Sequence, residues 1–209
     1  MLVVHHLSHS RSQRILWLLE ELDVPYEIRF YEREGRSHLA PEALKAIHPL
    51  GKSPAITDDG RTVAESGAIV DYIVRRHGEG RLAPSPDSWL YDQYVQWLHY
   101  AEGSAALPLV MKGLVSYLGK MWRPLKQRVD IELDTHLSYI DQSLEGRDYL
   151  VGSAFSAADV QMSFIGELAA IRTDTSRFPN LDAWVRRFQR RPAYQAAIRR
   201  GGPYALGSE

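Results

Sequence analysis

The stretch that decides the fold spans residues 48–73 and reads HPLGKSPAITDDGRTVAESGAIVDYI. A short apolar run begins at Ala55, and a second run, Thr62-Val63-Ala64, follows the tripeptide Asp58-Asp59-Gly60. Asp and Gly tolerate a positive φ, so the tripeptide predicts the turn of a β-hairpin. Apolar residues at helical spacing come after Glu65-Ser66-Gly67 and predict a helix.

The start of that predicted helix is a candidate binding site. The first N–H groups of a helix have no internal partner, and the helix dipole makes this end electropositive. These groups and the Ser66 hydroxyl can hold a carboxylate, whereas Glu65 can hold an amine. Lys52 and Ser53 lie on the loop that faces the same end, so the whole arrangement fits a small zwitterion. The alternative is a capped helix after a hairpin, with Lys52 solvated.

The residues before the hairpin predict a strand–helix–strand unit. Alternating or periodic apolar residues mark its elements, and a helical start at Pro41 follows. A unit of this length implies a right-handed crossover and parallel pairing of its strands. The predicted elements are a strand (2–7), a helix (14–22), a strand (26–31) and a short helix (42–48). With the hairpin and its helix, the first 77 residues have the order βαβαββα.

The second half of the chain predicts helices only. A linker rich in Gly and Pro precedes them, and Ser156-x-x-Asp159 has the pattern of a capping box before one of them. Pro108 is expected to kink the first long helix. The predicted segments are the linker (78–87) and helices at 87–119, 122–144, after 156, 180–189 and 193–200.

Composition excludes several classes of function. The 209 residues carry 25 basic against 26 acidic side chains, which predicts no nucleic-acid partner and no attraction to an anionic membrane. No apolar run is long enough to span a bilayer, and no signal peptide is expected, so we predict a cytoplasmic protein. The chain has no cysteine, and its histidines lack a metal-binding pattern, so no metal is expected.

The motif PLGKSP followed by ESGAI resembles the glutathione-binding half of the cytosolic glutathione transferases. The resemblance implies an α/β plus all-α architecture. A thioredoxin-like domain (1–77) and a linker (78–87) would be followed by an α-helical bundle domain (88–209). The segment Ala101-Glu102-Gly103-Ser104 resembles fungal and bacterial members of the serine type, with a theta- or phi-like active-site pattern.

The resemblance also implies which residues hold glutathione. The proline that matches Pro54 is cis in that family, and the residue that matches Ser53 bonds the peptide backbone of glutathione. The γ-glutamyl end would be held by Glu65 and Ser66. A carboxylate would be reached by Lys52, and His38 matches a residue that contacts the glycyl carboxylate, although an exposed loop histidine is the alternative there.

The sulfur of glutathione must be held as a thiolate, because a free thiol with a pKa near ~8.5 is mostly protonated at pH 7. The family uses tyrosine, serine or cysteine for this purpose. The first tyrosine here is Tyr26, in the second predicted strand, and cysteine is absent. In serine-type members the active serine lies four residues before an arginine, as Ser10 lies before Arg14. We therefore predict Ser10 as catalytic, with Ser12 second and Ser8 third; the alternative is that Ser10 or Ser12 only caps the helix.

The electrophile is expected between the domains. Its pocket would be lined by Leu7, His9, Tyr100, Ser104, Leu107 and Met111, although a stripe at helical spacing is also typical of a core or a subunit interface.

The predicted function is conjugation of glutathione to small hydrophobic electrophiles, a detoxification reaction in this family. Glutathione is the cosubstrate, no cofactor is expected, and a homodimer is implied. The alternatives are a glutathione-binding or ligand-binding protein without catalysis, or another glutathione-dependent activity such as that of a peroxidase, isomerase or dehalogenase. Reactions that need a cysteine nucleophile are excluded by composition.

Overall fold

A computed structural model describes residues 1–35, 39–116 and 123–206. Its contacts divide the chain into two compact units, one formed by Met1–Leu82 with Gln189–Glu209 and the other by Ala83–Phe188. The last segment, which was predicted to be part of the helical domain, belongs by its contacts to the N-terminal unit. The reason is a helix in this segment that packs on the first helix of the chain.

The N-terminal unit is built on a four-stranded sheet of order β2-β1-β3-β4. The strands are β1 (Leu2–Leu7), β2 (Tyr26–Tyr31), β3 (Ala55–Asp58) and β4 (Arg61–Ala64). β1 runs parallel to β2 and antiparallel to β3, and β3 and β4 form the predicted hairpin. Its turn holds Asp59 at φ 46° and Gly60 at φ 77°, the left-handed conformations that these residue types tolerate. The predicted thioredoxin-like fold is confirmed.

The helices occupy both units. They are α1 (Gln13–Glu21), α2 (Ser66–His77), α3 (Trp89–Tyr100), α4 (Ala106–Ser116), α5 (Arg123–Ser143), α6 (Ala157–Arg172), α7 (Pro179–Gln189) and α8 (Pro192–Gly201), with a 3₁₀ helix at Glu42–Ala46. α1, α2 and α8 belong to the N-terminal unit, and α3 to α6 and nearly all of α7 make the second unit all-helical, as predicted. None of the helices in the described ranges is both long and apolar enough to cross a bilayer.

α1 is buried on more faces than its apolar periodicity predicts. The polar residues Gln13 and Arg14 are buried in its first turn together with the apolar ones. Part of this burial comes from α8, which packs along α1 and sets Tyr194 edge-on against Trp17, with ring centroids 5.3 Å apart. Arg191, just before α8, adds a bidentate ion pair with Glu21 at 2.6 and 2.8 Å.

The second unit is organised around α6, which is buried from Ala157 to Ala169. The predicted capping box is present: the Asp159 carboxylate accepts hydrogen bonds from the Ser156 N–H at 3.0 Å and the Ser156 hydroxyl at 3.2 Å. The same carboxylate accepts from Leu150 N–H and Trp184 Nε1, both at 3.0 Å. Burial raises the pKa of Asp159 to about 6, against the effect of these donors.

The long helix predicted at 87–119 is interrupted earlier than expected. α3 and α4 are separated by a π-helical turn at Ala101–Ala105, and Pro108 lies in the first turn of α4. Proline has no N–H, and its ring would clash with the carbonyl four residues earlier in a continuous α-helix. The π turn just before it takes up this conflict. The end of the predicted helix, at 117–119, lies outside the described residues.

Candidate active site

The loop between β1 and α1 brings two of the candidate serines together. Ser12 occupies the N-cap position of α1, but its side chain caps no N–H of the helix. Its Oγ turns inward and lies 2.7 Å from Ser10 Oγ. Both serines are buried, Ser12 completely. Ser8, the third candidate, is bonded instead to the end of β2 and the residues after it: its N–H donates to the Tyr31 carbonyl, and its carbonyl accepts a bond from Arg33.

Ser10 is also close to the loop before β3. Its Oγ accepts a bond from the Ser12 N–H at 3.2 Å and lies 3.5 Å from Ser53 Oγ. The Ser53 hydroxyl donates to the main-chain carbonyl of residue 5 on β1 at 2.9 Å. The Ser53–Pro54 peptide bond is cis, as the resemblance implies, and Lys52 is exposed beside it. The structure therefore brings the first predicted catalytic serine next to the predicted binding loop.

The start of α2 is the other predicted binding element. Glu65 precedes it with φ 70° and ψ 118°, a left-handed conformation that costs an L residue on the order of 1–3 kcal/mol. Ser66 is buried at the first position of α2, and its Oγ accepts a bond from Arg14 Nη2 at 2.9 Å. Arg14 thus connects the first turn of α1 to that of α2 and places a buried positive charge beside Ser66.

A buried histidine continues the serine pair inward. Ser12 Oγ lies 2.9 Å from His6 Nδ1, and His6 Nε2 lies 3.0 Å from the Gly201 carbonyl at the end of α8. Burial lowers the pKa of His6 to about 4, although the Gly201 carbonyl favours the charged form, so His6 is neutral at pH 7. No pattern in the sequence marks His6 as part of this site, because its partner Gly201 is 195 positions away.

The remaining predicted residues of the N-terminal unit do not join this cluster by side-chain bonds. Leu7 is buried, and its main-chain N–H and carbonyl oxygen each lie 3.3 Å from Ser12 Oγ. His9 is exposed, and its Nδ1 accepts the Ala205 N–H at 2.8 Å. His38 lies outside the described residues. Over the ranges that are described, no cluster of three or more His, Asp or Glu side chains is arranged to hold a metal ion.

The second unit contains a cavity of about 420 Å³ between α4 and α5. Its wall includes three of the four residues of this unit that were predicted to line an electrophile pocket: Ser104, Leu107 and Met111. Tyr100 does not; its hydroxyl lies 2.6 Å from His136 Nδ1, and burial raises its pKa. His136 is itself part of the cavity wall. The π turn at Ala101–Ala105 places Ser104 at this cavity.

Comparisons of the sequence with known families match both halves of the chain. Residues 1–75 match the family model described as glutathione S-transferase, N-terminal domain, and residues 106–192 match the glutathione S-transferase, C-terminal domain. Glutathione S-transferase 3 of Schizosaccharomyces pombe is 38% identical, with 94% of this chain and 86% of that protein aligned. Glutathione S-transferase 1 of Saccharomyces cerevisiae is 31% identical over 98% of this chain and 96% of the relative.

The chain is also similar to solved structures of glutathione S-transferases. A glutathione S-transferase from Actinobacillus pleuropneumoniae superposes with a TM-score of 0.90 at 32% identity, covering 99% of this chain and 95% of its own. A sphingomonad glutathione S-transferase in complex with glutathione superposes with a TM-score of 0.78 at 25% identity, covering 96% of this chain and 98% of its own.

Proposed function

Since the chain belongs to the glutathione S-transferase family and is a glutathione transferase, we propose that Ser10 is the residue that holds the glutathione sulfur as a thiolate. One observation carries the proposal: Ser10 Oγ lies next to the first turn of α1 and 3.5 Å from Ser53 Oγ. A hydroxyl donor at the positive end of a helix stabilises a thiolate and so lowers the pKa of the thiol.

Glutathione is the cosubstrate of this family, and the proposed binding residues surround its expected position. Ser53 would bond the peptide backbone of glutathione beside the cis proline Pro54. Glu65 and Ser66 would hold the γ-glutamyl end, since the first N–H groups of α2 and the buried Arg14 favour a carboxylate there. Lys52, which is exposed, and His38 would reach the glycyl carboxylate.

The proposed reaction joins the sulfur to an electrophilic carbon. The thiolate supplies the electron pair of the new S–C bond, and the leaving group departs with the electron pair of the bond that breaks. The protein contributes mainly positioning and stabilisation of the anion. A small hydrophobic electrophile fits the cavity lined by Ser104, Leu107 and Met111, which also has the apolar Val129 in its wall.

We further propose a homodimer in the cytoplasm. The support for the dimer is the set of large apolar side chains exposed on α4 and α5, which include Leu114, Leu125 and Ile131. Burial of such side chains against a second copy removes apolar surface from water. Sedimentation equilibrium over a range of concentrations tests this assembly.

The experiment that tests the role of Ser10 is the Ser10→Ala substitution, assayed with glutathione and a chlorinated nitrobenzene. We expect kcat/KM to fall by about 100-fold or more, because one preorganised donor to an anion is worth that much. Calorimetry should show that glutathione still binds. Ser8→Ala is the matched control and should keep wild-type activity, since Ser8 is placed by its main chain.

Three outcomes would count against parts of the proposal. Equal activity of the wild type and Ser10→Ala would contradict the role of this hydroxyl, and a larger loss in Ser12→Ala would transfer the role to Ser12. Glutathione binding without turnover of any electrophile, peroxide or haloalkane in the wild type would favour a ligand-binding protein.

A further inference from the structure

A continuous chain of hydrogen bonds leads from Ser10 into the core of the N-terminal unit. Its members are Ser10 Oγ, Ser12 Oγ at 2.7 Å, His6 Nδ1 at a further 2.9 Å, and the Gly201 carbonyl at 3.0 Å from His6 Nε2. All of these residues are buried, with His6 only 2% exposed. Capping a helix requires one side-chain acceptor, whereas this buried chain contains two hydroxyls and a titratable imidazole.

The direction of each bond follows from the last acceptor. A carbonyl oxygen only accepts, so His6 carries its hydrogen on Nε2, and in the neutral ring Nδ1 is then an acceptor. The Ser12 hydroxyl therefore donates to His6 Nδ1 at 2.9 Å in preference to the Leu7 carbonyl at 3.3 Å. With its hydrogen used, Ser12 Oγ accepts the hydrogen of Ser10. The hydroxyl hydrogens of Ser10 and Ser12 thus both point toward His6, whose own Nε2–H points to Gly201.

A thiol placed against Ser10 adds one hydrogen bond in the same direction, because its S–H donates to Ser10 Oγ. A thiolate requires the opposite direction, since Ser10 must then donate its hydrogen to the sulfur. If His6 stayed neutral, Ser12 would have one hydrogen for two acceptors, Ser10 Oγ and His6 Nδ1, and one bond of the chain would be lost. If His6 gained a proton on Nδ1, the bonds that join His6, Ser12 and Ser10 would be kept with their directions reversed, and the bond from Nε2–H to Gly201 would be unchanged.

We propose that His6 accepts the proton of the glutathione thiol through Ser12 and Ser10, an inference that rests on the proposed role of Ser10. The sulfur proton passes to Ser10 Oγ, the Ser10 hydrogen to Ser12 Oγ, and the Ser12 hydrogen to His6 Nδ1. The sulfur keeps the electron pair of its S–H bond. The products are a thiolate, two neutral serines and an imidazolium whose Nε2–H still donates to Gly201, so charge and atoms balance.

The surroundings of His6 are consistent with an acceptor that charges only when the anion is present. The Phe30 ring on β2 packs edge-on against the imidazole, with centroids 5.7 Å apart, and adds no charge, and His9 in the loop after β1 lowers the pKa of His6 further. The Gly201 carbonyl favours the charged ring. A thiolate at the other end of the chain is an opposite charge and raises the pKa of His6.

The C-terminal segment would contribute to the proton transfer by holding the His6 ring. α8 presents the Gly201 carbonyl to His6, and four residues later the Ala205 N–H donates to His9 at 2.8 Å. The position of α8 is in turn held by its packing along α1 and by the ion pair of Arg191 with Glu21. The carbonyl takes the place that a carboxylate has in other serine–histidine systems, without adding a charge.

The test uses His6→Asn, whose amide oxygen can accept the Ser12 hydroxyl but cannot take up a proton. Glutathione is added at pH 7 in weakly buffered solution, while thiolate is followed by ultraviolet absorbance and released protons by an indicator dye. We expect the wild type to form thiolate without releasing its proton to solvent. His6→Asn should release a full proton for each thiolate formed and lose about 100-fold in kcat, with little change in KM for glutathione.

His5→Asn is the matched control, because it makes the same change at the adjacent buried histidine. The His5 ring bonds Tyr31 and Thr57 and points to the opposite face of the sheet. We expect this variant to retain the proton as the wild type does. Protein labelled with ¹⁵N-histidine provides a second readout that needs no variant: the His6 ring nitrogens should change from one protonated nitrogen to two when glutathione binds.

The outcomes separate this inference from the proposed function. Thiolate formation in the wild type with full release of the proton, or His6 signals that stay neutral in the complex, would overturn the relay and leave the role of Ser10 intact. Failure of the wild type to bind glutathione would overturn both.

Discussion

Ser12 occupies the N-cap position of α1, yet its hydroxyl bonds His6 and Ser10 instead of an N–H of the helix. The sequence places a serine at the start of a helix. A serine at that position can cap the helix or can bond residues of the candidate site. The two roles are separated by the residues that line the inner side of the loop. His6 provides the acceptor that turns Ser12 inward, and its Nδ1 is available because Gly201 binds the other nitrogen.

His6 should make the fold sensitive to acid. Its pKa is lowered from 6.5 to about 4 in the folded protein, so below pH 6.5 the unfolded chain binds a proton that the folded chain does not. This part of the stability is present above pH 6.5 and is lost as the pH falls toward 4. Between pH 7 and pH 4.5, the wild type should lose about 2 kcal/mol more free energy of unfolding than His6→Asn. Urea denaturation at both pH values measures the difference, and parallel losses in the two proteins would contradict the shift.

α1 and α6 show at the scale of elements how a helix becomes buried around its circumference. Periodicity predicts one buried face for α1, and the second is buried by α8, which pairs Tyr194 with Trp17. In α6, small residues allow neighbouring helices to approach closely. Gly166 is one of them: a Cβ placed there would lie 2.7 Å from Trp184 Cζ3 and 2.7 Å from Val185 Cγ2 on α7.

Gly166→Ala should therefore destabilise the protein even though alanine favours a helix. The indole of Trp184 is completely buried and cannot move aside without disturbing the core, so we expect a loss of about 1–3 kcal/mol in the free energy of unfolding. Gly103→Ala is the matched control, since a Cβ in the π turn meets nothing within 4 Å. That variant should be neutral or more stable by up to about 1 kcal/mol. Equal effects of the two substitutions would show that packing against α7 is not the cause.

At the scale of the whole molecule, the chain returns to its N-terminal unit after the helical one. Residues 189–209 cluster with Met1–Leu82, and the returning segment supplies the Gly201 carbonyl to His6. Arg191 joins this segment to Glu21 across 170 positions of sequence, with Trp17 Nε1 donating to the same carboxylate at 2.8 Å. Tertiary contacts of this kind determine which residues surround the candidate site.

Arg191→Ala should weaken the attachment of α8. Its partner Glu21 has a side chain only 9% exposed, so removal of the arginine leaves a largely buried carboxylate, and we expect a loss of about 2–4 kcal/mol in the free energy of unfolding. Amide hydrogen exchange should increase in α8. Arg75→Ala removes an arginine from an exposed pair with Asp71 and should cost less than about 1 kcal/mol. Normal protection of α8 in Arg191→Ala would contradict this role of the ion pair.

The sequence by itself determined the elements whose cause is local. Asp59-Gly60 favours a hairpin turn because both residues adopt a positive φ, and Ser156 with Asp159 caps a helix within four residues. The motifs around Ser53 and Glu65 were also sufficient to identify the family, because they carry its glutathione-binding pattern.

Only the tertiary structure decided what Ser10 contacts and what covers α1. The bond from His6 to Gly201 and the bond from Arg14 to Ser66 join positions that are 195 and 52 residues apart. Periodicity and turn chemistry mark neither His6 nor Arg14 as a member of these bonds. A hydrogen bond between distant segments depends on how elements pack and leaves no periodic pattern along the chain.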